Sequence, residues 1–197
     1  MTKFELIDKI LEKNNGYLTI SNVVKDNISK PTIYNYLQKN NFEQVARGIY
    51  VSSDTWIDDL YLLHLRYKQA IFSHETALFL HDLIDREPIK YAITLKAGYN
   101  SPQLKATDID VYNVKKELFN IGLSNVITSF GNTVPVYNME RTICDILKKR
   151  NYIEKEIIIS SLKVYVKKKD KNLGQLMKYA EMFRVVKILK PYLEVLL

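Results

Sequence analysis

Residues 18–51 constrain the fold of this chain most. Within that stretch the sequence orders short helices, a tight turn, a polar-faced helix and a small basic hairpin. That order predicts a winged helix-turn-helix, a module that lays one helix in the DNA major groove.

The local signals are specific. Thr2 with Glu5 three residues later forms a capping-box pattern. Phe4, Ile7, Ile10 and Leu11 then share one helical face. Asn14-Asn15-Gly16 ends that helix, because Gly16 accepts the left-handed backbone such a stop favours. Thr19 is the expected cap of a second helix with apolar residues Ile20, Val23 and Val24. Asn27-Ile28-Ser29 is the expected turn, with Ile28 packing inward. Ser29 is the expected cap of a third helix over residues 30–40, where Pro31 falls in the first turn and its missing amide costs nothing.

In the third helix Ile33, Tyr36 and Leu37 make the core face. Pro31, Thr32, Asn35, Gln38 and Lys39 point the other way, and no acid interrupts them. Asn and Gln can pair bidentately with adenine, and Thr can meet the thymine methyl. Phe42 to Ala46 and Ile49 to Val51, around Arg47-Gly48, read as a hairpin whose tip reaches phosphate or the minor groove. The expected DNA-binding residues are therefore Ser29, Lys30, Thr32, Asn35, Gln38, Lys39, Gln44 and Arg47. The bland alternative is a small helical domain whose polar face is merely solvated.

Composition adds a partner class. The net charge of +7 favours polyanions. The excess is uneven: residues 1–55 and 56–150 are each net +1, whereas residues 151–197 are net +5. Lys163, Lys167, Lys168, Lys169 and Lys171 form the densest cluster, either a solvated face or a polyanion or partner surface. The single Cys144 excludes an internal disulfide, fits a reducing cytosol, and sits in an apolar helical context as a buried thiol. No secretory leader or membrane-spanning run is expected, so the expected location is the cytoplasm.

Beyond residue 53 the pattern predicts a second domain, 54–197, with mixed sheet and helices over 54–150 and helices alone over 151–197. Ser53 or Asp54 is expected to cap a helix holding Trp56, Ile57, Leu60, Leu63 and Leu65. Strands are expected at 91–95 and 109–114, and a hairpin at 126–137 around Gly131-Asn132. Asn138 is expected to cap a helix through Lys149. The fold class is thus α+β: an N-terminal winged helix-turn-helix and a mixed α/β C-terminal domain ending in a basic helical segment.

Catalytic chemistry is sparse. His74-Glu75 opens like a zinc-protease motif, but Leu78 stands where the second histidine is needed. His74 and His81 read as structural. Asp108 and Asp110 flank Ile109 on one face of a strand, and such a pair can hold a divalent metal on nucleic acid. The further acids and phosphate-gripping loop of such an enzyme are missing from the pattern. Glu140 and Arg141 read as a buried pair tying helix to sheet. No catalytic residue, metal site or cofactor is expected.

Together these pieces resemble the AbiEi family, antitoxins of bacterial abortive-infection (phage-defence) toxin–antitoxin systems. The resemblance spans nearly the whole chain. It is carried by the N-terminal helix-turn-helix, by Arg47-Gly48-Ile49-Tyr50, by Phe72-Ser73-His74-Glu75-Thr76-Ala77-Leu78, by His81-Asp82-Leu83, and by the block from Val136 to Leu147. Asp82 stands where relatives often have Gly, and Glu75 where Arg is frequent. The resemblance implies a transcriptional repressor that binds promoter repeats of its own operon. It also implies a nucleotidyltransferase-like toxin as functional partner, neutralised without a stable complex in the type IV arrangement. Two other readings stay open: a metal-dependent enzyme on nucleic acid using Asp108 and Asp110, and a one-component regulator with a ligand-sensing second domain.

Overall fold

The computed structural model describes residues 2–99, 104 and 107–197. Among these the chain forms ten helices and eight strands in two sheets, an α+β fold. It divides into two compact units: residues 1–68 with 127–133, and residues 69–126 with 134–197.

The first unit opens with α1 (Lys3–Lys13), whose capping box forms as the sequence indicates. Gly16, at φ +82°, leaves no room for a side chain, since a Cβ there would lie 2.0 Å from Thr55 Oγ1. After it come β1 (Tyr17–Thr19), α2 (Ile20–Lys25), α3 (Lys30–Lys39), β2 (Glu43–Ala46) and β3 (Ile49–Val51). The strands make an antiparallel sheet in the order β1-β3-β2. Ile7, Leu11, Leu18, Val23, Ile28, Ile33 and Leu37 bury together as the core of the three helices. Thr19 and Ser29 occupy the N-cap positions of α2 and α3, yet neither side chain bonds a backbone amide there.

The expected helix from residue 53 or 54 is corrected. The chain first forms a turn, with Trp56 83% exposed, and α4 (Asp59–Arg66) starts only after Asp58. The cause is Asp58, whose buried carboxylate accepts three hydrogen bonds. Its Oδ1 accepts from the Tyr61 amide at 3.0 Å. Its Oδ2 accepts from Thr128 Oγ1 at 2.6 Å and Asn132 Nδ2 at 2.8 Å. The Asp58 amide in turn donates to Tyr17 Oη at 2.7 Å. Tyr61, Leu62 and Leu65 of α4 pack on Tyr17, Ile49 and Val51. The compact unit therefore runs past the expected end at residue 53 to Lys68, and takes in the segment 127–133.

The second unit holds a five-stranded sheet, ordered β6-β5-β4-β8-β7, from β4 (Ile71–Phe72), β5 (Tyr91–Lys96), β6 (Ile109–Val114), β7 (Leu123–Ile127) and β8 (Thr133–Tyr137). β4 runs antiparallel to β5 and parallel to β8, and β5 runs parallel to β6. Its helices are α5 (His74–Leu80), α6 (Lys116–Phe119), α7 (Met139–Lys148), α8 (Lys155–Tyr165), α9 (Leu173–Met182) and α10 (Val186–Leu196). Every residue of α7 from Met139 to Leu147 is buried, so this helix is the centre of the core. Asn138 caps it by accepting from the Arg141 amide at 3.0 Å. Cys144 is buried within it, and burial pushes its thiol up to about 12.

Candidate nucleic-acid interface

The turn 27–29 sets the angle at which α3 leaves α2, with Ile28 anchored in the core and Asn27 at φ +60°. Ile33, Tyr36 and Leu37 fix α3 from below. Tyr36 also donates a hydrogen bond to the Asp8 carboxylate of α1. Burial, with Asp8 adding to it, holds the Tyr36 hydroxyl above the usual phenol range. The Phe4 ring meets Tyr36 edge-on at 5.2 Å, and Lys39 Nζ lies 5.9 Å from the Phe4 ring.

On the outer side Ser29, Lys30, Asn35, Gln38 and Lys39 are exposed, and Thr32 is half-buried. Ser29 and Thr32 share a hydroxyl–hydroxyl bond of 2.8 Å, which fixes the first turn of α3. Gln44 is exposed but folds its amide back to donate to the Ala46 carbonyl at 3.3 Å. Arg47 is exposed in the turn between β2 and β3. Tyr34, which is not among the expected contacts, is 50% exposed. Its spacing from Lys30 and Gln38, four residues either way, puts the three on one helical stripe. A tyrosine hydroxyl is one of the side-chain groups able to donate to a phosphate oxygen. An aromatic beside Ile33 reads as core in sequence, and only the i+4 relation to Lys30 hints otherwise.

The C-terminal lysines are less uniform than their run suggests. Lys163, Lys167 and Lys169 are exposed. Lys171 donates to the Lys168 carbonyl at 3.2 Å, and Lys168 lies 3.9 Å from the Asp82 carboxylate.

Asp108 precedes β6 and pairs with Lys90 at 2.5 Å. Asp110 lines a cleft of about 630 Å³ with Glu75, Asp85, Glu87, Glu154 and Glu156. Burial, and the Asp110 charge beside it, raises the Glu75 carboxyl above its ordinary value. Among the described residues no group of three or more His, Cys, Asp or Glu is arranged to hold a metal ion. His74 is buried, stacks on Tyr112 with ring centroids 3.5 Å apart, and contacts Ser73 Oγ at 3.0 Å. Burial, with Lys149 and Arg141 beside it, pushes its pKa down to about 3, so it is neutral. His81 Nε2 is bonded to the Tyr137 carbonyl at 2.7 Å.

The expected Glu140–Arg141 pair is replaced by two separate arrangements. Arg141 Nε donates to Asp145 at 2.8 Å, while Glu140 accepts from Tyr165 Oη and the Asn172 amide, both at 3.0 Å. Successive helical residues point in different directions, whereas residues four apart share a face.

No family model matches the chain, and no curated protein matches it. Among solved structures it is similar to the crystal structure of the RV2827C protein from Mycobacterium tuberculosis, at a TM-score of 0.59 and 13% identity. The match covers 92% of this chain and 72% of that one. At that identity the likeness concerns the fold alone.

Proposed function

We propose that the first unit is a winged helix-turn-helix and that the protein is a DNA-binding repressor of its own operon. In this reading α3 enters the major groove and the β2–β3 turn is the wing. Thr32, Asn35 and Gln38 address base edges. Ser29, Lys30, Lys39, Gln44 and Arg47 address the backbone. The observation that carries the reading is the outward, acid-free face of α3 together with an exposed Arg47 in the β2–β3 turn.

The second half of the proposal is that the protein acts in the cytoplasm as an antitoxin against a nucleotidyltransferase-like toxin. That half rests on the resemblance to the AbiEi family, with the α+β fold compatible with it. No helix is long and apolar enough to cross a membrane among the described residues.

Two measurements test the proposal. Fluorescence anisotropy compares binding to duplex DNA from upstream of the protein's own gene with binding to random duplex. Asn35→Ala is expected to cost about 1–3 kcal/mol on the former and much less on the latter. Equal losses on both would reduce Asn35 to a backbone contact. Co-expression with the adjacent gene, if that gene encodes a nucleotidyltransferase-like protein, is expected to restore growth. No rescue would remove the antitoxin half and leave the repressor half standing.

A further inference from the structure

Two clefts of the second unit share a wall. One, of about 490 Å³, includes Lys115, Lys148, Arg150 and Arg184 in its lining. The other, of about 330 Å³, includes Tyr112, Arg141 and Lys149. Lys115, Leu118, Lys148 and Phe183 belong to both, so the clefts adjoin. Six cations bound this groove, against one carboxylate, Asp145, which Arg141 already holds at 2.8 Å. The other five make no ion pair with a described carboxylate.

The cations arrive from separate places in the chain. Lys148, Lys149 and Arg150 close α7, where the helix dipole favours positive charge. That bland account also covers Arg184, which follows α9, but not Lys115, which precedes α6 at the end where the dipole disfavours a cation. Arg141 adds a second kind of observation. Its side chain is fully buried, with the guanidinium carbon 4.3 Å from the Tyr137 ring centroid and 4.1 Å from that of Phe183. Nε serves Asp145, and Nη1 serves the carbonyls of Leu118 and Ile121. Nη2 is buried with no hydrogen-bond partner. A buried donor left unmet is costly, and an oxyanion is the acceptor this charge selects.

We propose that this groove binds the phosphate groups of a nucleotide, either free or at the end of a nucleic-acid strand. Lys115, Lys148, Arg150 and Arg184 neutralise the phosphates from the open side, and Arg141 forms part of the inner wall. No residue of α3 lines the groove, and the proposal does not depend on the repressor reading. It is also not the lysine run at 163–171, which is dense in sequence but lines neither cleft.

The test is calorimetric titration of the full chain at low salt with ATP, with inorganic pyrophosphate, and with a short single strand carrying a 5′-phosphate or a 5′-hydroxyl. Saturable binding is expected, with pyrophosphate competing. ATP binding without strand binding assigns the free nucleotide, and the reverse assigns the strand end. Lys148→Gln with Arg184→Gln, both exposed and removing two charges, is expected to weaken binding about tenfold or more. Lys167→Gln with Lys169→Gln removes the same charge elsewhere and is expected to change it by less than about twofold. Circular dichroism and melting confirm that both double variants fold. No saturable binding of any ligand overturns the proposal. So do equal losses in the two double variants, which would reduce the effect to net charge, and so does a 5′-hydroxyl strand that binds as tightly as the phosphorylated one when ATP does not bind.

Discussion

Arg141 and Asp145 are joined by a 2.8 Å bond from Nε to Oδ2, with both side chains inside the helical core of the second unit. The same guanidinium donates to the carbonyls of Leu118, in the last turn of α6, and Ile121, in the loop that follows it. Gly122, beside that loop, has no space for a side chain because a Cβ would lie 2.6 Å from the Arg141 Cβ. One residue thus ties α7 to the approach of β7.

Arg141→Met keeps much of the volume but strands the Asp145 carboxylate and takes a donor from the Ile121 carbonyl. Urea unfolding is expected to register a loss of about 3–5 kcal/mol, the range for breaking a buried ion pair from one side. A loss under about 1 kcal/mol would mean that the pair contributes little.

The pH dependence of stability carries two opposed contributions. Burial pushes Asp145 up from its ordinary 3.8 to about 6, against the pull of Arg141. Between those values the folded chain keeps a proton that the unfolded chain has lost, so this contribution falls as pH rises. The difference in unfolding free energy between wild type and Asp145→Asn is expected to drop by on the order of 2 kcal/mol from about pH 4 to about pH 6.5. His74 runs the other way. Its pKa is pushed down from 6.5 to about 3, so the unfolded chain takes the proton first and stability is lost as pH falls below about 6.5. His74→Phe is expected to remove that acid-side loss. Differences of the same sign for the two variants would contradict the assignment.

Asp58→Ala removes a helix cap and leaves Thr128 and Asn132 without their acceptor. Summing a cap at about 1 kcal/mol and two buried donors at about 1 kcal/mol or more each gives a cost of about 3 kcal/mol or more. Hydrogen exchange is the direct readout: the amides of Tyr61 and Asn132 should lose protection together. Exchange that quickens at Tyr61 alone would show that the 127–133 segment is held by other contacts.

Arg47→Ala is expected to weaken binding about equally on all duplexes and to lower the slope of log affinity against log salt by about 1. A sequence-dependent loss would instead give Arg47 a role in base readout.

Much of the architecture is legible before any coordinates. Pro31, the Ile33–Tyr36–Leu37 spacing and the capping box at Thr2 mark α3 and α1 because each signal is local. β1 and β4 escape notice because strands of three and two residues hold too few side chains to show a period of two. The start of α4 differs from the local signal for another reason. Ser53 and Asp54 are good local caps, but Asp58 has partners more than sixty residues away, which no window can register. The same holds for the basic groove. Lys115, Arg150 and Arg184 stand apart in the chain, whereas the conspicuous lysine run spends part of its charge near its own turn and on Asp82.

The first unit is completed by residues 127–133, the connection between two strands that belong to the second. No single cut in the polypeptide can therefore release it whole. A protease that nicks the chain after Lys68 would leave Asp58 bonded to a segment still threaded through the other fragment, so the two pieces should co-purify under native conditions and part only in denaturant.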